Sequence, residues 1–205
     1  MLGRPFTAIG KCPLSVIGNQ HYRHPVNDAD RVGGTLRLRD VEPGDVGLYV
    51  RLRCDPLMTV DLGGPRPSED MLAKVARDVG DTASDTAWNL VIVPDSEAPD
   101  TVAGSLHVYR GQTGLAEVGW MVLPEHQRRG VAKAAVRLLL LREQLEERWG
   151  ELHAFTSTEN AASNALCRSL PSRLLGEESY VFDGQDYPVN HWVMQPTTSG
   201  DRATC

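Results

Sequence analysis

The sequence predicts an α+β fold on a mixed, mostly antiparallel central sheet flanked by helices, and three observations carry that reading. Strand-type and helix-type hydrophobic periods mix along the chain without strict alternation. In mid-chain, Ala87–Val93, Val102–Tyr109 and Ala116–Leu123 are strand candidates separated only by Asp-, Pro- and Gly-rich turns (PDSEAPD, then RGQTG), the pattern of a meander. A long helix, Gly130 to Trp149, leaves the third strand almost at once. Val131, Ala134, Ala135, Leu138, Leu141, Leu145 and Trp149 form its stripe, and Gly150 is its expected stop.

The other elements follow in chain order. Leu36-Arg37-Leu38-Arg39 alternates apolar and polar, as a half-buried strand does. Pro43 opens a helix to about Arg53, with Asp40 and Asp45 near its positive end, and Asp55-Pro56 breaks it. Ser68 is an expected N-cap for a helix to about Val79, with Glu69 and Asp70 in its first turn. Glu151–Ser157 reads as a strand and Ala161–Arg168 as a short helix. Ser179–Phe182 and Tyr187–Met194 read as a closing hairpin around Asp-Gly-Gln-Asp.

Composition bounds the possibilities. With 205 residues and 41% hydrophobic content, the chain can bury one ordinary core. Residues 35–195 are assigned to that domain. Residues 1–34 lack a sustained period and are read as a partly ordered N-terminal extension; residues 196–205 (PTTSGDRATC) are read as a flexible tail. A net charge of −6 and 6% aromatics argue against a nucleic-acid binder, which needs cations for phosphates and rings for bases. The longest leucine run, Leu138 to Leu141, falls far below the roughly 20 residues of a membrane span. Cys12, Cys54, Cys167 and Cys205 have no metal-ligand spacing, so no metal site is expected. A cytoplasmic chain with reduced thiols is expected instead.

The chemistry concentrates in AEVGWMVLPEHQRRGVAKA. A strand runs into Gln127-Arg128-Arg129-Gly130-Val131-Ala132 and a helix begins immediately. A helix start presents unpaired N–H groups and a positive dipole end, and Gly130 lets the backbone approach a ligand without a Cβ in the way. Arg128, Arg129 and Lys133 add positive charge within one turn. The result is an anion site suited to a pyrophosphate. The same residues also fit an ordinary left-handed turn with solvated arginines. Neither GxGxxG nor GxxxxGK[ST] occurs, which disfavours dehydrogenases and NTPases.

Q-R-R-G-V-A after a strand, with Asn160-x-x-Ser163 some thirty residues on, resembles the GCN5-related N-acetyltransferase (GNAT) superfamily. LRLRDVEPGDVGLYVRLRCDP and AEVGWMVLPEHQRRGVAKAAV look like its Rim-type subgroup, which includes ribosomal-protein N-terminal acetyltransferases. The resemblance runs from Leu36 to about Met194. It implies a sheet in which Ala116–Leu123 and Glu151–Ser157 are parallel and splay apart, with the pantetheine arm of acetyl-CoA in the gap. That arm would pair with the backbone of Trp120, Met121 and Val122. The loop from Gln127 to Lys133, including Val131 and Ala132, would bind the pyrophosphate through its N–H groups, and Asn160 would hydrogen-bond the arm from the other side.

The resemblance also implies acetyl transfer to a primary amine by direct attack in a ternary complex. Glu117 takes the position of the family's usual acidic residue and is the expected general base, directly or through a water. A backbone N–H near Met121 or Val122 is the expected oxyanion donor. Many relatives carry Tyr where this chain has Cys167, so Ser163 is the expected proton donor to the leaving thiolate, with Cys167 read as a small buried hydrophobe. RSLPSRLLG, with Pro171, also departs from the usual ending of that helix.

Two other readings use the same residues: a GNAT-shaped module that binds acyl-CoA or a partner without efficient turnover, and an aminoglycoside N-acetyltransferase. The expected acceptor is a small-molecule amine or a protein N-terminus, and a homodimer is compatible with the sequence. The acidic C-terminal half suggests room for a polycation. His107, His126, Trp88, Trp120 and Trp192 are read as wall or core residues without a catalytic role.

Overall fold

The computed structural model describes residues 36–182 and 184–194. The expected extension and tail lie outside the described residues. Seven strands form one sheet: β1 (Arg37–Asp40), β2 (Ala87–Val93), β3 (Gly104–Arg110), β4 (Ala116–Val122), β5 (Leu152–Ser157), β6 (Ser172–Phe182) and β7 (Gln185–Met194). Their order is β1-β2-β3-β4-β5-β7-β6, and every neighbouring pair is antiparallel except β4–β5. Four helices cover it: α1 (Val46–Arg53), α2 (Met71–Ala83), α3 (Val131–Glu146) and α4 (Ala161–Arg168).

Side-chain alternation divides the core between the two faces of the sheet. On one face Leu90, Ile92, Leu106, Val108, Val118 and Leu152 meet Ala135, Val136, Leu139 and Leu140 of α3 and Cys167 of α4. On the other, Val91, Met121 and Leu123 meet Leu48 and Leu52 of α1 and Met71 and Val75 of α2. β2 lies between both layers and is buried at all seven positions, which explains its unbroken apolar run.

Buried ion pairs fix the first helices. Asp45 receives both guanidinium nitrogens of Arg39, at 2.8 and 2.6 Å, and also accepts from the Glu42 N–H at 2.7 Å. Tyr49 of α1 donates to Asp78 of α2 at 2.7 Å, and Lys74 binds the same carboxylate. Among the described residues no helix is long and apolar enough to cross a membrane, and no group of His, Cys, Asp and Glu could hold a metal ion.

The structure corrects four local expectations. Ser68 makes no side-chain cap; it starts a single 3-10 turn, and α2 runs on to Ala83. Helix α3 stops at Glu146, before Gly150, because Glu147 adopts a left-handed φ of 49°. The buried Glu143 carboxylate accepts from the N–H groups of Trp149 and Gly150, both at 2.6 Å, and so folds the chain back there. The buried residues of α3 are Ala135, Val136, Leu138, Leu139, Leu140 and Glu143, so Ala135 and Leu138 of the expected stripe are buried, whereas Leu145 is 72% exposed. Finally, β6 begins at Ser172, seven residues earlier than the expected hairpin. It is a mostly exposed edge strand, so its backbone pairing to β7 leaves no hydrophobic period in SRLLGEE.

Candidate functional site

The one parallel pair is also the weakest seam. β4 pairs with β5 only at Ala116↔Leu152 and Glu117↔His153, and then the strands diverge. On its other side β4 stays paired with β3 over its whole length. Beyond Glu117 the β5-facing edge of β4 is therefore an unpaired strand edge, able to take an extended ligand as a further strand. A cleft of about 780 Å³ opens at this split. Trp120, Met121 and Val122 line it, opposite Phe155, Thr156 and Ser157.

The loop after β4 forms one end of the cleft. His126, Gln127, Arg128, Gly130, Val131, Ala132 and Lys133 line it. Two successive left-handed positions lie close together here, Arg128 at φ 55° and Gly130 at φ 79°. A Cβ on Gly130 would meet nothing within 4 Å, so glycine is required there by backbone conformation, not by crowding. The Gln127 side chain donates to the Val122 carbonyl at 2.9 Å and so ties the loop to the end of β4. Arg129 is outside the cleft lining, with its guanidinium directed to the Glu125 carbonyl. Arg128 and Lys133 are the cations at the helix start that face the cleft.

Glu117 sits at the apex of the split and is only 4% exposed. Its Oε2 accepts from Tyr180 at 2.7 Å and Tyr109 at 3.1 Å. Its Oε1 is buried without a partner and packs against Gly111, where a Cβ would fall 1.7 Å from that oxygen. Both tyrosines line the cleft, as Glu117 itself does. Burial and the neighbouring carboxylate push the Tyr109 phenol up to about 12 and raise Tyr180 as well. Both phenols therefore stay protonated and act as donors at neutral pH.

Sequence reasoning named Glu117 but missed the tyrosines. Tyr109 was within reach of the meander pattern, since the β3–β4 register places it directly across from Glu117. Tyr180 comes from the far edge of the sheet, and no local signal announces it.

Helix α4 forms the opposite wall. Asn160 caps it, its Oδ1 accepting from the Ser163 N–H at 2.9 Å, while Nδ2 makes no protein hydrogen bond among the described residues. Asn160 and Ser163 both line the cleft. Cys167 is fully buried in the core, outside the cleft lining, and burial pushes its thiol up to about 12. A further residue the sequence did not reveal is Asn164. Its Oδ1 accepts from Thr156, Asn190 and Trp192, and its Nδ2 donates to the Ser157 and Asn160 carbonyls, which fastens α4 to β5 and β7.

His107 lines the cleft with its ring against Gly119, where a Cβ would lie 2.2 Å from Nε2. Burial lowers its pKa to about 3, so it is neutral. Trp88 and Trp192 belong to the core. The roof of the cleft comes from Arg53 at the end of α1, from Leu57, Met58 and Arg66 of the segment after it, and from Phe182 and Tyr187 of the last hairpin.

A split sheet beside a helix start, with a buried carboxylate at the apex, defines a group-transfer enzyme for a long anionic cosubstrate. Residues 35–170 match the model of the acetyltransferase (GNAT) domain. The chain belongs to the GNAT acetyltransferase family, whose acyl donor is acetyl-CoA. Among solved structures it is similar to RimL, a ribosomal alpha-N-protein acetyltransferase, at 19% identity and a TM-score of 0.68, covering 80% of this chain and 92% of that one. A microcin self-immunity acetyltransferase solved with acetyl-CoA and AMP aligns at 14% identity and TM-score 0.66, covering 78% and 92%. The spermidine N-acetyltransferase of Vibrio cholerae, solved with CoA and spermine, aligns at 17% identity and TM-score 0.65, covering 79% and 96%. At these identities the likeness establishes a shared fold. No curated protein sequence matches the chain significantly.

Proposed function

We propose that the chain transfers acetyl directly to a primary amine in the cleft, with Glu117 as the final proton acceptor. The observation that carries this reading is the buried Glu117 carboxylate at the point where the parallel strands part, held by two cleft-lining phenols. Acetyl-CoA, when bound, supplies an activated acyl thioester. The chain's residues fit it: the unpaired edge at Trp120, Met121 and Val122 suits an extended arm. The N–H groups from Arg128 to Lys133, with the Arg128 and Lys133 cations, suit a pyrophosphate.

The acceptor nitrogen must lose a proton to attack. Because Oε2 is already hydrogen-bonded by Tyr180 and Tyr109, that proton passes through one of their hydroxyls, which hands its own proton to Oε2. A backbone N–H near Met121 or Val122 is the candidate to stabilise negative charge. Ser163 faces the cleft, and its hydroxyl makes no hydrogen bond among the described residues, so it is the donor for the departing sulfur. The two departures from the family pattern, Cys167 and Pro171, lie outside the cleft lining.

Glu117→Gln tests the proposal. Turnover on amines falls by about 10²-fold, the range for loss of a positioned base, while calorimetry finds CoA affinity near that of the parent. Equal turnover in variant and parent at pH 7 rules out the role.

A further inference from the structure

The roof of the cleft carries a charge that acetyl transfer alone does not use. Arg53 ends α1, is half-buried and lines the cleft. Its guanidinium lies 5.5 Å from the centre of the Tyr49 ring, and among the described residues it meets no carboxylate. The acids around it are engaged elsewhere or stand apart. Asp78 is held by Tyr49 and Lys74, and Glu117 by its two tyrosines. Asp61, also in the cleft wall, forms no ion pair with Arg53.

The backbone that carries this cation is tied down. The Arg66 N–H donates to the Arg53 carbonyl at 2.8 Å, which joins the end of α1 to the far end of the roof segment. The Arg66 guanidinium in turn lies 5.6 Å from the centre of the Phe182 ring. The charge of Arg53 acts on both His107 and Tyr109, the second of which is bonded to the base. The Arg53 guanidinium, over the Tyr49 ring, thus borders the cleft that Tyr109 also lines.

A half-buried guanidinium has lost part of its hydration, and its planar fork matches a carboxylate in two parallel hydrogen bonds. Phe155, Tyr180, Phe182 and Tyr187 supply apolar walls for the rest of a ligand. A cation also favours the neutral form of a nearby amine, which attack requires, and opposes a second ammonium group. The wall therefore suits an anion-bearing acceptor and disfavours a polyamine or an aminoglycoside, contrary to what the acidic composition suggested.

We propose that the acceptor is an amine carrying its own carboxylate, an amino-acid-like compound with an apolar side group. Arg53 binds the carboxylate, and the nitrogen faces Tyr109 and Tyr180. The assignment rests on the acetyl-transfer reading, and the test separates the two.

Matched acceptors that differ only in the carboxylate, phenylalanine against phenethylamine and methionine against 3-(methylthio)propylamine, are compared by acetyl-CoA-dependent thiol release, with spermine alongside. In parallel, N-acetylphenylalanine and N-phenethylacetamide are titrated into the CoA-loaded full chain. The expected result is a preference of about tenfold or more in kcat/KM for the acid of each pair, the size of a charge-assisted hydrogen-bonded contact. Arg53→Gln closes that gap through KM, and Arg53→Lys restores part of it. Equal use of both members, or preference for the decarboxylated amine or spermine, overturns the inference and leaves acetyl transfer standing. Arg53-dependent binding of N-acetylphenylalanine with no thiol release from any amine upholds the carboxylate site and overturns acetyl transfer. Should Arg53→Gln fail to fold, the preference of the parent protein within each pair decides alone.

Discussion

The two halves of the cleft are made differently. The half at the start of α3 is built from backbone: the unpaired edge of β4, two left-handed residues and the first N–H groups of a helix. The half under the roof is built from side chains brought together from separate segments. Arg53 ends α1, Tyr109 lies one residue before the end of β3, and Tyr180 comes from the edge strand. A backbone site is written as a short motif, because conformation is local. A side-chain site is assembled by tertiary packing and leaves no contiguous trace.

Substitutions can break or sharpen this contrast. The largest expected effect comes from Gly111→Ala. Its new Cβ would fall 1.7 Å from Glu117 Oε1, so the carboxylate must leave its tyrosine partners. Turnover drops by about 10²-fold, like loss of the base itself, with CoA affinity kept in calorimetry; a variant as fast as its parent would show that the carboxylate's position is immaterial.

Gly130→Val strikes the backbone half. Nothing crowds the new side chain, but valine at φ 79° carries a left-handed penalty of about 1–2 kcal/mol. The loop relaxes away from that conformation, and CoA binding weakens by about tenfold. An unchanged calorimetric Kd would remove the loop from the binding account.

Tyr180→Phe has the smallest effect, about fivefold in kcat, because Tyr109 still donates to the same oxygen. KM for acetyl-CoA stays put. A loss confined to that KM would instead make Tyr180 a wall of the cosubstrate site.

Much of the fold was legible because its elements carry strong local periods. The bounds of β2 and α4 were read correctly from the sequence, and β3, β4 and β5 to within two residues at each end. Local signals failed where tertiary contacts override them. Glu143 ends α3 early through two backbone N–H groups it reaches only after the chain has turned. β6 exists as a strand because β7 is beside it. Gly130, Asn160 and Glu117, which the structure brings to one cleft, were named from motif positions in the sequence. Asn164 and Tyr180 were not, since the first acts through partners up to 28 positions away and the second bonds a residue 63 positions off.

The brevity of the parallel seam has a mechanical consequence. Two strands joined at only two residues form a wedge, and the angle between them can change while the joined end hardly travels. Glu117 occupies that joined end, so a change in the width of the gap would leave the proposed proton acceptor in place. The proposed point of proton transfer coincides with the fulcrum.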